Sequence, residues 1–154
     1  MVDTFGPVDP ATVTTLARQR ARSAGGDATG GLVGALVATL TGPGGRADDG
    51  QWESTAIVLE LPGGEFNEAH GYLYLPDGAI APVASDPWVV APAVTTFTDS
   101  HYEVGEQLPR AILLQLERTT GRYAVTFEET DETRWRATPR NHRQLREEMR
   151  PRFD

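Results

Sequence analysis

The chain has 154 residues, of which 39% are hydrophobic, a length and composition that fit one domain with a buried core and exclude wholesale disorder. Its 22 acidic residues against 14 basic ones, all of them arginine, leave a net charge of −8. That balance opposes a general nucleic-acid binder, which needs a dense basic face to displace counterions, and the absence of cysteine excludes a disulfide framework, a thiolate nucleophile and a Cys-based zinc site.

The N-terminus has neither the basic start nor the apolar stretch of a signal peptide, which implies a cytoplasmic location. Asp9 as a cap and Pro10 at the first helical position predict a helix, with Val13, Leu16 and Ala17 on one face and Gly25-Gly26 ending it. The most apolar run, Leu32 to Leu40, is too short to span a bilayer. Its Leu32, Leu36 and Leu40 spacing fits a buried helix and its length also fits a core strand; the spacing tips the reading towards helix. Residues 41–51 read as a polar, glycine-rich loop.

From Trp52 to Leu61 the pattern becomes that of a strand, centred on Ile57-Val58-Leu59 and closed by Pro62-Gly63-Gly64. His70 to Leu75 is a second strand, with Tyr72 and Tyr74 on one face and Leu73 and Leu75 on the other. Pro76-Asp77-Gly78 is a turn that returns the chain as an antiparallel partner over Ala79 to Val83. Pro82, Pro87 and Pro92 punctuate the next stretch, so Trp88-Val89-Val90 is expected as a short edge strand and Val94 to Thr98 as another. Ala111 to Glu117 and Arg122 to Glu128 then flank Arg118-Thr119-Thr120-Gly121 as a hairpin, and Tyr123, Val125 and Phe127 alternate with Ala124, Thr126 and Glu128. At the C-terminus, Thr138 caps a helix that Pro139 opens, Leu145 and Met149 share its apolar face, and Pro151 ends it. The sum is an α+β fold over one domain, residues 1–154: an antiparallel β-sheet with an N-terminal helix and a C-terminal helix.

No motif names a reaction. His70, His101 and His142 are widely spaced, and none stands in a His-x-x-x-His or Glu-x-x-His pattern that places two ligands on one helix face. His101 lies near Asp99 and Glu103, where a carboxylate would raise its basicity, but a solvated acidic loop is the better reading. Asp48-Asp49 lacks the alternate oxygens of a calcium loop, and Gly42-Pro43-Gly44-Gly45 lacks the Lys-Ser/Thr of a phosphate cradle. No catalytic residue, metal ligand or cofactor is therefore expected.

The densest chemical feature is Glu128-Glu129-Thr130-Asp131-Glu132, at the exit of the strongest strand, with Trp135 shortly after. These carboxylates fit contact with a cationic partner, or a solvated loop that blunts a strand end. Trp135 fits either an exposed hot spot or a residue tucked between sheet and helix. Charge is uneven along the chain. Residues 1–133 hold 7 arginines and 19 acids, a balance of −12, whereas residues 134–154 hold 7 arginines and 3 acids, a balance of +4. A basic C-terminal helix is thus positioned by sequence to pair with the protein's own acidic surface.

The run Leu108 to Glu117 followed by Thr120 to Glu129 resembles the C-terminal half of the YezG-like immunity proteins, in which an apolar strand, a glycine-containing turn and an aromatic-x-Val-x-Phe strand lead into an acidic segment. Gly71-Tyr72-Leu73-Tyr74 is compatible with an earlier strand of the same sheet. The glycine-rich N-terminal half and the arginine-rich C-terminus depart from that family. The resemblance implies an antitoxin of a bacterial polymorphic toxin system: a protein without catalytic residues that binds its cognate toxin, often a nuclease, and neutralises it by contact, with no nucleic acid or membrane as partner. Glu128, Glu129, Asp131 and Glu132 match the acidic segment and, with Trp135, are the expected partner-binding residues. An acidic secretion chaperone or adaptor for an exported protein is the alternative from the same features.

Overall fold

The run Thr55 to Leu59 is buried at every position, the mark of a strand covered on both faces rather than one. The computed structural model, which describes residues 26–42, 45–46 and 51–153, places this strand at the heart of a sheet. Its elements in chain order are α1 (Gly26–Thr39), β1 (Thr41–Gly42), β2 (Gly45–Arg46), β3 (Ser54–Glu60), a 3-10 turn (Pro62–Gly64), β4 (Glu68–Tyr74), β5 (Ile80–Ser85), α2 (Pro87–His101), β6 (Ala111–Glu117), β7 (Tyr123–Glu128) and α3 (His142–Glu148). The strands form one antiparallel seven-stranded sheet in the order β2-β1-β5-β4-β3-β6-β7. The α+β expectation is met. The helix expected from Asp9-Pro10 lies outside the described residues.

Consecutive strands pair as hairpins at β1–β2, β3–β4, β4–β5 and β6–β7, and a long crossover through α2 completes the order. β4 and β5 are joined at Leu75 to Gly78, where the Gly78 N–H donates to the Leu75 carbonyl at 3.0 Å. Gly78 sits at φ 90°, a conformation that favours glycine. β5 then leads into α2, which carries the chain to the far side of β3, where β6 pairs with it and β7 folds back as the expected hairpin.

Alternation splits the sheet's side chains between two cores. Ile57 and Leu59 face the core built with Leu32 and Leu36 of α1, Leu40 just after it, and Val90, Val94 and Phe97 of α2. Ala56 and Val58 face the opposite way, against Trp135, Leu145 and Met149 of the C-terminal segment. The molecule is therefore layered, with two helices on one face of the sheet and Trp135, Leu145 and Met149 on the other, while Phe153 near the C-terminus returns to the first core. No helix among the described residues is long and apolar enough to cross a membrane.

Residues 32–39 fall in a helix, as the i, i+4 leucine spacing favours, and Leu40 follows directly after it: all three leucines are buried while Gly30, Gly31 and Gly34 are exposed. The two edge strands expected over Trp88–Val90 and Val94–Thr98 are instead one 15-residue helix, α2. Asp86 caps it by accepting the Trp88 N–H at 3.0 Å, and Pro87 lies in the first turn, where its missing N–H is no loss. Val90, Val94, Phe97 and Thr98 then fall on one buried helical face, and Pro92 stands on the exposed one. At the C-terminus, α3 starts at His142 with Asn141 at the cap position and no side-chain cap, three residues later than the start expected at Thr138-Pro139. The Thr138 N–H donates to Asn141 Oδ1 at 2.6 Å and its hydroxyl accepts the Asn141 N–H at 3.2 Å, a reciprocal pair that braces the turn before the helix.

Seven residues are too few to hold a helix by propensity. The sheet grips the end of α3 instead. The hydroxyl of buried Tyr74 donates to the Arg146 carbonyl at 2.6 Å, and Gln115 Nε2 donates to the Met149 carbonyl at 2.8 Å. Carbonyls that a helix terminus leaves without partners are thus satisfied from the strands below.

Candidate functional site

Register brings the end of β3, the start of β4, the start of β6 and the end of β7 to one end of the sheet. Glu60 stands opposite Glu68 on one side and Ala111 on the other, and Ala111 stands opposite Glu128. The loop after α2 joins this end through Tyr102, whose hydroxyl donates to Glu129 Oε1 at 3.2 Å. The 3-10 turn joins it through the Gly63 N–H, which donates to Glu132 Oε1 at 3.1 Å. The outcome is an acidic end of the sheet in which three arginines are embedded.

Each of those arginines is engaged. Arg134 Nη1 lies 2.9 Å from Glu128 Oε1, Arg136 Nε lies 3.6 Å from Glu60 Oε1, and Arg110 Nε lies 3.9 Å from Glu132 Oε1. Arg134 and Arg136 precede α3 and pair with largely covered carboxylates, whereas Arg150 at the end of the helix pairs with Glu147 of the helix itself, so the pairing expected of the basic helix is made by the segment before it. Glu65, Glu68, Glu103, Glu106 and Asp131 remain exposed around them.

The acidic segment expected to meet a partner is divided by this arrangement. Glu128 is buried and works inside the fold. Burial alone would raise its pKa, but the Asp131 and Thr130 N–H groups and the Arg134 guanidinium outweigh burial and hold the carboxyl below the usual range. Trp135 is likewise buried, in the core beneath α3 with Arg134 lying over its ring, so of its two readings the tucked one is correct. Both side chains are mostly covered, and what Trp135 shows lines a neighbouring pocket. Glu129 and Glu132 are tied to Tyr102 and Gly63. Asp131 is fully exposed, its carboxylate accepting from the Thr133 side chain and N–H, which lowers its pKa. Beside Trp135 a pocket of about 310 Å³ opens, lined by Leu113, Gln115, Thr126, Arg134 and Glu148.

No protein-family model matches the chain, and no curated protein or solved structure is similar to it. Its chemistry rests on its own residues.

His101, weighed in the sequence as a general base, packs its ring against Phe97 and Phe127, with centroids 4.5 and 5.5 Å away. Its Nδ1 lies 3.0 Å from the Phe97 carbonyl and from Ser100 Oγ. His70 meets carboxylates. Its Nε2 lies 3.0 Å from Glu60 Oε2, and the donor atoms of Glu60, Glu68 and His70 all fall within 4.8 Å of one another. Helical spacings in the sequence could not reveal this group. The available signal was Glu68-Ala69-His70, since residues two apart on a strand share a face. Glu60 joins them because β3 and β4 pair with Val58 opposite His70.

Proposed function

We propose that the protein is a binding module whose acidic sheet end engages a cationic protein surface, and that it acts as an immunity protein neutralising a cognate bacterial toxin. One observation carries this reading. The arginines at that end are each held by a carboxylate of the fold, whereas Glu65, Glu103, Glu106 and Asp131 project at the surface. Exposed charge of one sign steers a partner of the other sign and sets specificity more than it adds affinity. The toxin-neutralising form of the reading rests on the resemblance of the β6–β7 hairpin and its acidic exit.

The test is binding to the product of the neighbouring gene, followed by rescue of cells that express that product. Glu65→Arg combined with Asp131→Arg is expected to weaken the complex about tenfold or more, mainly through slower association, and added salt should weaken the unmodified complex in the same way. Both substitutions lie on exposed positions, so the fold survives them. A neighbour that does not bind, or a complex indifferent to both reversals and to salt, would sink the proposal.

A further inference from the structure

Glu60 and Glu68 face each other directly across β3 and β4, a placement in which like charges oppose strand pairing. Arg136 holds one oxygen of Glu60, Oε1 at 3.6 Å, and thereby leaves Oε2 turned towards His70 at 3.0 Å. Glu60 is mostly covered, with 13% of its side chain exposed, whereas Glu68 is exposed. On the β5 side of His70 the neighbour across the ladder is Ala84, a small and exposed residue.

We infer that Glu60, Glu68 and His70 form a binding site for a first-row divalent metal ion, with zinc as the best match. One imidazole nitrogen and two carboxylate oxygens suit zinc, and the nitrogen disfavours magnesium and calcium, which take oxygen shells. Metal–ligand distances of about 2.0–2.2 Å place neighbouring ligand atoms of a tetrahedral site about 3.4 Å apart. The Glu60–His70 pair already stands near that separation, and the Glu68 side chain closes the rest by rotation. Arg136 acts as the outer partner that fixes the Glu60 carboxylate, the role hydrogen-bonding groups play around bound metals. A dication between the two glutamates also offsets the repulsion that the strand register imposes on them. The site lies at the same acidic sheet end as the proposed partner surface, but its test is separate, since zinc binding is read on the chain alone without a toxin.

The experiment is a titration of the chelator-stripped whole chain with zinc chloride near neutral pH, followed by calorimetry and by the thermal midpoint. One equivalent is expected to bind and to raise the midpoint by several degrees. Glu68→Gln, at an exposed position that leaves the fold intact, and His70→Gln should each weaken binding about tenfold or more. His101→Gln and His142→Gln should leave it unchanged. Absence of heat and of any shift in midpoint up to about 1 mM zinc, or an unaltered response in Glu68→Gln and His70→Gln, overturns the assignment.

Discussion

Glu128 shows how a residue chosen for its charge can end as part of the frame. Its carboxylate gathers two backbone N–H groups and the Arg134 guanidinium at the point where β7 turns into the C-terminal segment. Because its folded pKa lies below the unfolded value of about 4.3, its contribution is fully present above that value. It is lost as pH falls through the folded pKa. Asp131 and Glu147, also lowered, act in the same direction. Glu128→Gln is expected to cost about 1–3 kcal/mol at neutral pH and to flatten the acid limb of stability. Urea midpoints measured from neutral pH down into the acid range check it: the two proteins should converge at low pH, and a constant gap would contradict the assignment. Gly71 makes a separate demand at this scale. A Cβ there would fall onto the Ala56 carbonyl, so the central strands approach only because β4 carries glycine opposite Ile57.

At the scale of elements, legibility in the sequence depends on how local each signal is. The β6–β7 hairpin was legible because Tyr123, Val125 and Phe127 alternate in a strand and Gly121, at φ 72°, ends the turn. α2 was misread because its prolines were weighed as strand breakers. Asp86-Pro87 is the same cap-and-proline start that predicts a helix at Asp9-Pro10, and Val90, Val94 and Phe97 already have helical spacing. The Glu60–Glu68–His70 group was not legible, since only the register of β3 against β4 assembles it. α1 carries its own cost. Gly30, Gly31 and Gly34 lie in a helix with nothing within 4 Å of the position a Cβ would take, so only the buried leucines and contact with α2 favour it. Gly34→Ala is therefore expected to stabilise the protein by about 0.5–1 kcal/mol, seen as a higher thermal midpoint. An unchanged or lower midpoint would mean that something covers this face.

For the molecule as a whole, the decisive arrangement is a sheet whose central strand is sealed from both sides by distant parts of the chain. One core requires α2; the other requires Trp135, Leu145 and Met149. Unfolding should accordingly expose Trp135 together with the loss of the sheet, and Leu145→Ala, expected to cost about 2–4 kcal/mol, tests that coupling. In a Trp52→Phe, Trp88→Phe background, where Trp135 alone emits, tryptophan emission and far-ultraviolet circular dichroism should move in one transition; a separate early change in emission would show the segment around Trp135 leaving alone.

The neighbours of β3 reach it at very different times during synthesis. β4 comes within a few residues, but β6 lies beyond residues 61–110. At about 5–20 residues per second, translation leaves one edge of Thr55 to Leu59 open for roughly 2.5–10 s. An apolar strand with an unpaired edge is a template for the wrong partner, another nascent chain included. The crossover that completes the sheet is thus also the interval in which the protein most needs a chaperone.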